Sequence, residues 1–388
     1  MPKEIAQGER RVALVPEVAK KLVDVGFEVL IESGAGDEAG LTDSAYTENG
    51  AQIAGSAADV YSQSDAIAKV HAPEGGELDM LKPGSVLIGF LSPLNSPDLV
   101  RRLAEGKVTS FAMEVIPRTT RAQAMDALSS QAVVGGYRAA LAGAKELGKF
   151  FPMLITAAGT AKPSRVLVLG AGVAGLQAIA TSKRLGAMVE AYDVRPAVKE
   201  EVESLGAKFV QIEVKQDSEG GGSGQYAKEL SEEDQRRQRE LLADRVAAAD
   251  CVITTAAVPG RPAPKLITSE MVSRMRPGSV LVDMAAETGG NCELTSPGEV
   301  VVREGVTIDG TLNLASQMPF HASLLYANNV ANLLKLLAPE GNLNLNFEDD
   351  IIAGACITHD GQIVNDRVRE ASNTTPDSQA NQAVGGGT

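Results

Sequence analysis

The sequence predicts an α/β protein with two doubly wound domains separated by a cleft. Short apolar runs rich in β-branched residues alternate with amphipathic helical stretches along most of the chain. The length of 388 residues favours two domains over one. A glycine-rich turn also opens the second set of strands. We expect an N-terminal domain over residues 1–125 with a returning segment over 318–371, a second domain over 126–317, and a disordered tail over 372–388.

The first domain contains four predicted strands with helices between them. The strands are FEVLIES (27–33), DAIAKV (65–70), SVLIGFL (85–91) and VTSFAME (108–114). The clearest helices are PEVAKKLVDVG (16–26) and SPDLVRRLAEG (96–106). Strands that alternate with helices in this way favour a parallel sheet. A long helix, weakened by Gly135 and Gly136, should then run from about Ala122 to Leu147.

The second domain follows as another series of apolar runs. They are RVLVLG (165–170), MVEAYD (188–193), AKFVQI (207–212), DCVITTA (250–256), SVLVDM (279–284) and VTIDG (306–310). After Met318 the pattern HASLLYANNVANLLKLLA (321–338) predicts a long helix. We expect the segment from Gln317 onward to return to the N-terminal domain and pack on it.

Charge and composition exclude several classes of function. The formal net charge of −14 argues against nucleic acid and against a bare anionic membrane surface. No apolar run reaches the roughly 18 residues that a membrane span needs. Cys251, Cys292 and Cys356 are scattered and lack the spacing of metal ligands. We therefore expect buried thiols in a reducing cytosol and no metal site.

The stretch VLVLGAGVAGLQAIATSKRLGAMVEAYDVRP predicts a Rossmann-like domain that binds a dinucleotide. Gly170 permits a tight turn, Gly172 lets the backbone approach a pyrophosphate, and Gly175 lets helix and strand pack closely. The helix N-terminus stabilises the phosphate charge. Asp193, 18 residues after Gly175, would bind the adenosine ribose and repel a 2′-phosphate, which favours NAD over NADP. Arg195 weakens that preference, because it could meet a phosphate.

The segment RTTRAQAMDALSSQA (118–132) is rich in polar groups and has no histidine, cysteine, lysine or tyrosine. On a continuous helix, Gln123, Asp126 and Ser130 would share one face, with Ser129 beside them. This set could position a ligand. In the alternative interpretation, Asp126 caps the helix locally and the serines pack against a neighbouring helix.

A second glycine cluster, SEGGGSGQYAKELSEEDQRRQREL (218–241), precedes a highly charged helical pattern. Its glycines and serines do not fit a regular element. One interpretation is a disordered surface loop. The other is a mobile lid with Tyr226 near its tip, which closes over a bound nucleotide and excludes water.

Five motifs occur in order along the chain: PKE…GERRVALVPE (2–17), PRTTRAQAMDALSSQA (117–132), GAGVAGLQAIATSKRLGA (170–187), GGGSGQYAKE (220–229) and ITTAAVPGRPAPKLIT (253–268). Together they resemble the NAD(H)-binding component of proton-translocating nicotinamide nucleotide transhydrogenase. The nearest relatives of that component in fold are the alanine dehydrogenases. The resemblance extends from Pro2 to about Asp366.

The resemblance implies a soluble homodimer that binds NAD(H) and docks onto a separate NADP(H)-binding subunit. Both would sit on a membrane-spanning proton-channel subunit, so the chain would be cytoplasmic and peripherally associated with the membrane. Hydride would pass directly between the two nicotinamides, coupled to proton translocation. Fused relatives continue into a transmembrane segment at about the point where this chain stops, so the split form with separate partner chains fits.

The resemblance also implies the residues of the site. Arg118, Gln123, Asp126 and Ser129 would surround the nicotinamide and its ribose, and Tyr226 would join them in the catalytic set. The expected cofactor-binding residues are Arg118, Thr119, Thr120, Arg121, Gln123, Asp126, Ser129, Gly170, Gly172, Val173, Ala174, Gly175, Asp193, Val194, Arg195, Gln225, Tyr226, Gln238 and Ala257.

An alanine-type dehydrogenase is the nearest alternative. Its chemistry needs a group that moves a proton, because amine oxidation releases one. Arg11 and Lys69 match the positions that hold the substrate carboxylate in that family. However, Ser92 stands where that family has its histidine, and Glu287 stands where it has an aspartate. The proton-transfer group is therefore lost.

The three histidines do not replace that group. We expect His71 at the surface or in the cleft, and structural roles for His321 and His359. Transfer between two nicotinamides exchanges no proton at the reacting carbons, so fixed polar groups that align the rings suffice. A regulatory NAD(H) sensor without turnover is the third interpretation.

Overall fold

The computed structural model describes residues 1–211, 232–257 and 260–374 of the chain. Its helices are α1 (Pro16–Val23), α2 (Asp43–Glu48), α3 (Ala57–Gln63), α4 (Glu77–Met80), α5 (Pro97–Glu105), α6 (Ala127–Glu146), α7 (Val173–Arg184), α8 (Lys199–Ser204), α9 (Glu232–Ala248), α10 (Ser269–Ser273), α11 (Pro319–Leu337), α12 (Asp350–Ala355) and α13 (Asp366–Thr374). Its strands are β1 (Leu30–Glu32), β2 (Gln52–Ala54), β3 (Ala66–His71), β4 (Val86–Phe90), β5 (Thr109–Ala112), β6 (Leu154–Thr156), β7 (Gly159–Ala161), β8 (Arg165–Leu169), β9 (Met188–Tyr192), β10 (Lys208–Phe209), β11 (Cys251–Thr254), β12 (Val280–Asp283), β13 (Val300–Arg303), β14 (Val306–Asp309), β15 (Cys356–His359) and β16 (Gln362–Ile363).

The chain divides into two compact units. The first unit comprises Met1–Ser130 and the residues from Pro319 onward, and the second comprises Gln131–Met318. The second domain was expected to begin at residue 126, four residues before the end of the first unit. The boundary falls inside α6 because its first turn is bound to α11, where the Ser130 hydroxyl donates to Asn329 Oδ1 at 2.7 Å.

The second unit is organised around a twisted α/β sheet. Among the described residues its strand order is β10-β9-β8-β11-β12-β14-β13, and β13 is antiparallel to β14 at one edge. Alternate side chains face opposite sides. Val166 and Val168 of β8 pack towards α6 and α7, whereas Leu167 and Leu169 pack towards α9 and α10. Because both faces are covered, the central strands read as continuous apolar runs.

Gly135 and Gly136 allow α6 to pack closely within the second unit. A Cβ at Gly136 would lie 2.1 Å from the Ala174 carbonyl oxygen, and a Cβ at Gly135 would lie 3.0 Å from the Met284 side chain. An alanine at position 136 would therefore push α6 away from the start of α7. Gly136 is therefore required by the packing of the helix, whereas at position 135 the flexible end of the Met284 side chain is the group that would have to move.

The first unit has a mixed sheet with the order β16-β15-β5-β4-β3 in the part of the chain that the structure describes. β3, β4 and β5 are parallel, whereas β15 is antiparallel to both β5 and β16. β1 and β2 form a separate parallel pair. The predicted α/β class is confirmed. The strands predicted within the first 125 residues are parallel as expected, and the returning segment adds two antiparallel strands that were not predicted.

Two predicted segments end differently in the structure. The helix expected from Ala122 is interrupted: a 3₁₀ turn spans Thr120–Met125, Asp126 is non-helical with φ −70° and ψ 85°, and α6 begins at Ala127. The tail expected to be disordered from residue 372 is helical through Thr374, and the Ser372 hydroxyl donates to the Val368 carbonyl at 2.8 Å. Residues 375–388 lie outside the described chain.

The described helices do not have the properties of membrane spans. Within residues 1–211, 232–257 and 260–374, no helix combines the length and the apolar character needed to cross a bilayer.

Candidate functional site

The glycine-rich turn of the second unit joins β8 to α7. Gly170 has φ +101°, a conformation that favours glycine. A Cβ at Gly175 would lie 1.9 Å from the Gly170 carbonyl oxygen, so the helix and the strand are in closest contact here. At Gly172, in contrast, a Cβ would meet nothing within 4 Å. The backbone at Gly172 is therefore open to an approaching ligand.

The N-terminus of α7 has the properties of an anion site. Gly172 is the N-cap residue and offers no side chain to the first turn of this 12-residue helix. The N–H groups of Val173, Ala174 and Gly175 have no acceptor within the helix, as in every helix start. Because these donors coincide with the positive end of the helix dipole, this turn suits a phosphate group. Val173 is 41% exposed, so ligand access is open.

Asp193 follows β9 and faces the same turn. Its carboxylate accepts the Ala171 N–H at 2.7 Å and the Arg195 guanidinium at 2.9 Å on each oxygen. Burial opposes ionisation, but the hydrogen bonds from Arg195 and Ala171 hold the pKa of Asp193 below its ordinary value. The carboxylate is thus ionised and able to accept ribose hydroxyls. Arg195 is paired with Asp193, while Val194 between them is exposed.

The loop after β11 forms a second wall of the turn. The Thr255 hydroxyl lies 3.2 Å from the Gly170 carbonyl oxygen. The fully buried Asn291 side chain accepts the Ala256 N–H at 3.1 Å and donates to the Ala256 carbonyl at 2.8 Å. Ala257, the next residue and a predicted cofactor contact, is exposed. Thr255 and Asn291 were not predicted as site residues from the sequence. The position of Thr255, a polar residue directly after a buried strand, could have indicated it.

The polar segment of residues 118–130 belongs to the first unit. Asp126 caps α6: its carboxylate accepts the Ser129 N–H at 2.9 Å and the Ser129 hydroxyl at 2.6 Å. Together with the bond from Ser130 to α11, these are the contacts of the alternative, local interpretation. Gln123 is exposed and lies in the preceding 3₁₀ turn. The prediction that Gln123 shares one helix face with Asp126 and Ser130 was wrong, because the helix is broken at Asp126.

The start of this segment is solvent-exposed and anchored through one arginine. Arg118, Thr119 and Thr120 are exposed. The Arg121 guanidinium binds Asp349 through two hydrogen bonds of 2.6 and 2.8 Å and also contacts Asp350. The Arg121 hydrogen bond lowers the pKa of Asp349 to about 2. In this structure Arg121 therefore holds the segment to the N-terminus of α12.

The predicted lid residues fall outside the described chain. Gln225 and Tyr226 lie in residues 212–231. Gln238 lies in α9, whose backbone is described there, but the Gln238 side chain is not.

The two cations at the alanine dehydrogenase positions are each paired inside the first unit. Arg11 binds Glu9 at 2.7 Å, and Lys69 binds Glu77 at 2.8 Å. His71 Nε2 lies 2.8 Å from Glu9, whose hydrogen bond raises the pKa of His71. The Arg11 and Lys69 side chains are both at most 6% exposed. A substrate carboxylate would have to displace a buried glutamate at each position.

The serine at the position of the dehydrogenase histidine lies in a strained turn after β4. Ser92 has φ +48°, and its N–H donates to the Glu114 carboxylate just after β5. Burial raises the pKa of Glu114 to about 7. Among the described residues, Glu114 Oε2 has no hydrogen-bond partner. Glu287, at the position of the dehydrogenase aspartate, instead accepts the Asn313 N–H at 2.8 Å.

The remaining histidines and the cysteines have structural surroundings. His321 packs edge-on against Phe320, and His359 Nδ1 lies 3.0 Å from the Thr109 hydroxyl. The thiols of Cys251, Cys292 and Cys356 are all buried.

The sequence matches family descriptions over almost its whole length. Residues 1–135 match the alanine dehydrogenase/PNT N-terminal domain, and residues 139–366 match the alanine dehydrogenase/PNT C-terminal domain. The chain belongs to the alanine dehydrogenase/PNT family. The second matched region covers most of the second unit and continues into the returning segment of the first unit, which begins at Pro319.

Individual members of the alanine dehydrogenase/PNT family are similar over most of the chain. The chain is 49% identical to the first part of the NAD(P) transhydrogenase subunit alpha of Rhodospirillum rubrum, covering 94% of this chain and 97% of that protein. It is 30% identical to the alanine dehydrogenase of Halomonas elongata, covering 96% and 95%. A solved transhydrogenase from Sinorhizobium meliloti is 44% identical with a TM-score of 0.85, covering 94% of this chain and 99% of that one.

The geometry of this family member separates two groups of predicted residues. The second unit brings Gly170, Gly172, Gly175 and Asp193 together around one turn. The first unit brings Asp126 and Ser129 together at the start of α6. The first group can bind a phosphate and a ribose, and the second presents a carboxylate and a hydroxyl that are hydrogen-bonded to each other.

Proposed function

We propose that this chain is the NAD(H)-binding component of a proton-translocating transhydrogenase. Hydride would pass directly between NAD(H) on this chain and NADP(H) on a partner subunit. The observation that carries the proposal is the open, glycine-lined turn at Gly172 beside the ionised Asp193, in a chain 49% identical to a transhydrogenase alpha subunit. The loss of the dehydrogenase histidine at Ser92 favours the same activity.

In this proposal the second unit binds the adenosine half of the cofactor. The first-turn N–H groups of α7 and the bare backbone at Gly172 receive the pyrophosphate. Asp193 accepts the ribose hydroxyls and would repel a 2′-phosphate, which selects NAD(H). Arg195 keeps this carboxylate ionised and oriented, because it donates to both oxygens.

The segment with Arg118, Gln123, Asp126 and Ser129 positions the nicotinamide and its ribose. NAD(H) supplies the hydride, and none of these side chains has to move a proton. Their task is to hold the ring, and orientation alone can lower a barrier by roughly 7–11 kcal/mol in well-aligned systems. The cap between Asp126 and Ser129 gives these two side chains a fixed geometry. Thr119, Thr120, Val173, Ala174, Val194, Gln225, Tyr226, Gln238 and Ala257 complete the proposed contacts.

The proposed partners are an NADP(H)-binding subunit and a membrane-spanning proton-channel subunit. The Rhodospirillum rubrum relative bears the name of one part of an alpha subunit, which implies a protein assembled from several parts. Hydride transfer would be coupled to proton translocation in the membrane subunit. The chain would then be a cytoplasmic component held at the membrane by its partners.

A homodimer is also proposed, and an apolar hairpin in the second unit supports it. β6 and β7 form a two-stranded antiparallel sheet of their own. Met153 is 58% exposed and Ile155 is 74% exposed. Exposed clusters of this kind mark interfaces, and a lone hairpin is marginal in water. Covering the hairpin with a second copy would remove these side chains from solvent.

Analytical ultracentrifugation of Ile155→Asp tests the homodimer. We expect a dimeric wild type and a monomeric variant that still binds NADH. Val302→Asp is a matched control, since Val302 is 61% exposed on the edge strand β13. A monomeric wild type, or a variant that remains dimeric, would contradict this interface.

Incubation with L-alanine and NAD⁺ separates the proposed function from its nearest alternative. We expect no NADH to form, because the cations that would hold the substrate carboxylate are paired with Glu9 and Glu77. NADH should nevertheless bind. Turnover of L-alanine at a rate typical of enzymes, about 1–1,000 s⁻¹, would favour the dehydrogenase instead.

A further inference from the structure

A polar stripe runs along one side of α11 in the first unit. It consists of Ser323, Tyr326, Asn329 and Asn332, each three residues after the last, in a helix that is otherwise largely apolar. Ser323 and Tyr326 are fully buried, and Asn329 is 7% exposed. Buried polar side chains destabilise a fold unless they are hydrogen-bonded, so the partners of this stripe indicate what it does.

The first half of the stripe binds the motif segment 2–17 and the strand β3. The Ser323 hydroxyl accepts the N–H of Val12 at 2.9 Å. The Tyr326 hydroxyl donates to the Lys69 carbonyl at 2.8 Å. In both cases a side chain of α11 fixes the backbone of a distant segment.

Asn329 binds the polar segment on both sides of its helix cap. Its Nδ2 donates to the Ala124 carbonyl at 2.9 Å, and its Oδ1 accepts the Ser130 hydroxyl at 2.7 Å. Asp126 and Ser129 lie between these two points. One carboxamide thus spans the break between the 3₁₀ turn and α6.

We infer that Asn329 is a positioning residue for hydride transfer. It fixes the backbone that carries Gln123, Asp126 and Ser129, and through them the nicotinamide. This inference rests on the proposed function. Because transfer depends steeply on the placement of the ring, a displacement of about 1 Å can slow it on the order of 100-fold. Cofactor affinity would change little, since the pyrophosphate and ribose contacts of the second unit remain.

Asn329→Ala tests this inference in the complete complex with the NADP(H)-binding subunit. The measurements are the rate of NAD⁺ reduction by NADPH at saturating nucleotides, the NADH dissociation constant from its fluorescence, and the melting temperature. We expect the rate to fall on the order of 10- to 100-fold. The dissociation constant should not change. Asn328→Ala is the matched control, because the Asn328 side chain donates to the Leu324 carbonyl at 2.8 Å and accepts from Lys21 at 3.4 Å, both away from the polar segment.

Asn329→Asp adds a pH profile that a general loss of stability would not produce. At neutral pH its carboxylate would face the Ala124 carbonyl, and transfer should be slow. As the pH falls and the carboxyl group protonates, its O–H can donate to Ala124 again. The rate relative to wild type should therefore recover at low pH, whereas Asn329→Ala should show no recovery.

Three results would overturn the inference. They are an unchanged rate in Asn329→Ala, parallel losses of rate, NADH affinity and melting temperature, and a control that loses as much activity as Asn329→Ala. A wild-type complex that binds NADH but transfers no hydride would instead contradict the proposed function. The two failures are thus distinguishable.

Discussion

Replacing Gly172 by alanine separates cofactor binding from folding. Gly172 has φ −79° and ψ −169°, an extended conformation open to alanine, and the new Cβ would meet nothing within 4 Å. Alanine reduces the entropy of the unfolded chain, which stabilises the fold by about 0.4–1 kcal/mol. Glycine is the better N-cap, which offsets part of this gain. The free energy of unfolding should therefore stay within about 1 kcal/mol of wild type.

NADH affinity should fall in Gly172→Ala, because the methyl group occupies the space through which the pyrophosphate approaches the backbone. A weakened phosphate contact at the helix N-terminus removes about 1–2 kcal/mol. The NADH dissociation constant, measured by fluorescence titration, should then rise roughly 5- to 30-fold. Urea denaturation of the same protein measures the free energy of unfolding.

Gly175→Ala is the contrasting variant. Its Cβ would lie 1.9 Å from the Gly170 carbonyl oxygen, so the turn must shift. We expect a loss of about 1–3 kcal/mol of stability together with weaker NADH binding. The reasoning is refuted if Gly172→Ala binds NADH as tightly as wild type, or if it is destabilised as much as Gly175→Ala.

Three further predictions concern the first unit. Burial raises the pKa of Glu114 to about 7, so the stability that its protonated form contributes is lost as pH rises through 7. Glu114→Gln should therefore exceed wild type in free energy of unfolding by up to about 3 kcal/mol at pH 8, and by little at pH 5, in urea denaturation. Arg121 lowers the pKa of Asp349 to about 2, so this pair stabilises the fold above the unfolded pKa of about 4 and loses its effect as pH falls towards 2. In Arg121→Ala, the free energy of unfolding should therefore fall less than in wild type between about pH 4 and pH 2. The same pH dependence in variant and wild type would contradict this prediction. Gln123→Asn or Arg118→Ala should slow hydride transfer far more than it weakens NADH binding, and equal losses would assign these residues to affinity.

The sequence predicts the central strands well, and the edge strands poorly. β8, β11 and β12 lie inside their predicted runs because strands buried on both faces are apolar at every position. β13, β15 and β16 were not predicted. They are short, and their antiparallel partners decide their existence, as β5 does for β15. The pairing of β15 with β5 depends on contacts distant in sequence, whereas β13–β14 and β15–β16 are local pairs whose strands are too short to give a clear pattern.

The same distinction applies to the candidate site. Each glycine from Gly170 to Gly175 has a local reason that sequence alone supplies, and the geometry agrees with it. The cap at Asp126 was one of two interpretations of the sequence, whereas its anchoring by Asn329 and Asn332, from a helix about 200 residues later, could not be predicted. The pairing of Arg121 with Asp349, 228 residues apart, has the same character. The sequence therefore predicts features that depend on neighbouring residues, such as the glycine turn. It does not predict hydrogen bonds to residues that are distant along the chain.

The transfer of deuterium from NADPH to NAD⁺ tests the central claim most directly. The protein is mixed with the NADP(H)-binding subunit, NAD⁺ and NADPH that carries deuterium at the transferable position of its nicotinamide. Direct transfer predicts that the label appears in NADH and none is exchanged with water. Label released to solvent, or no NADH formed by a protein that still binds NADH, would contradict the account.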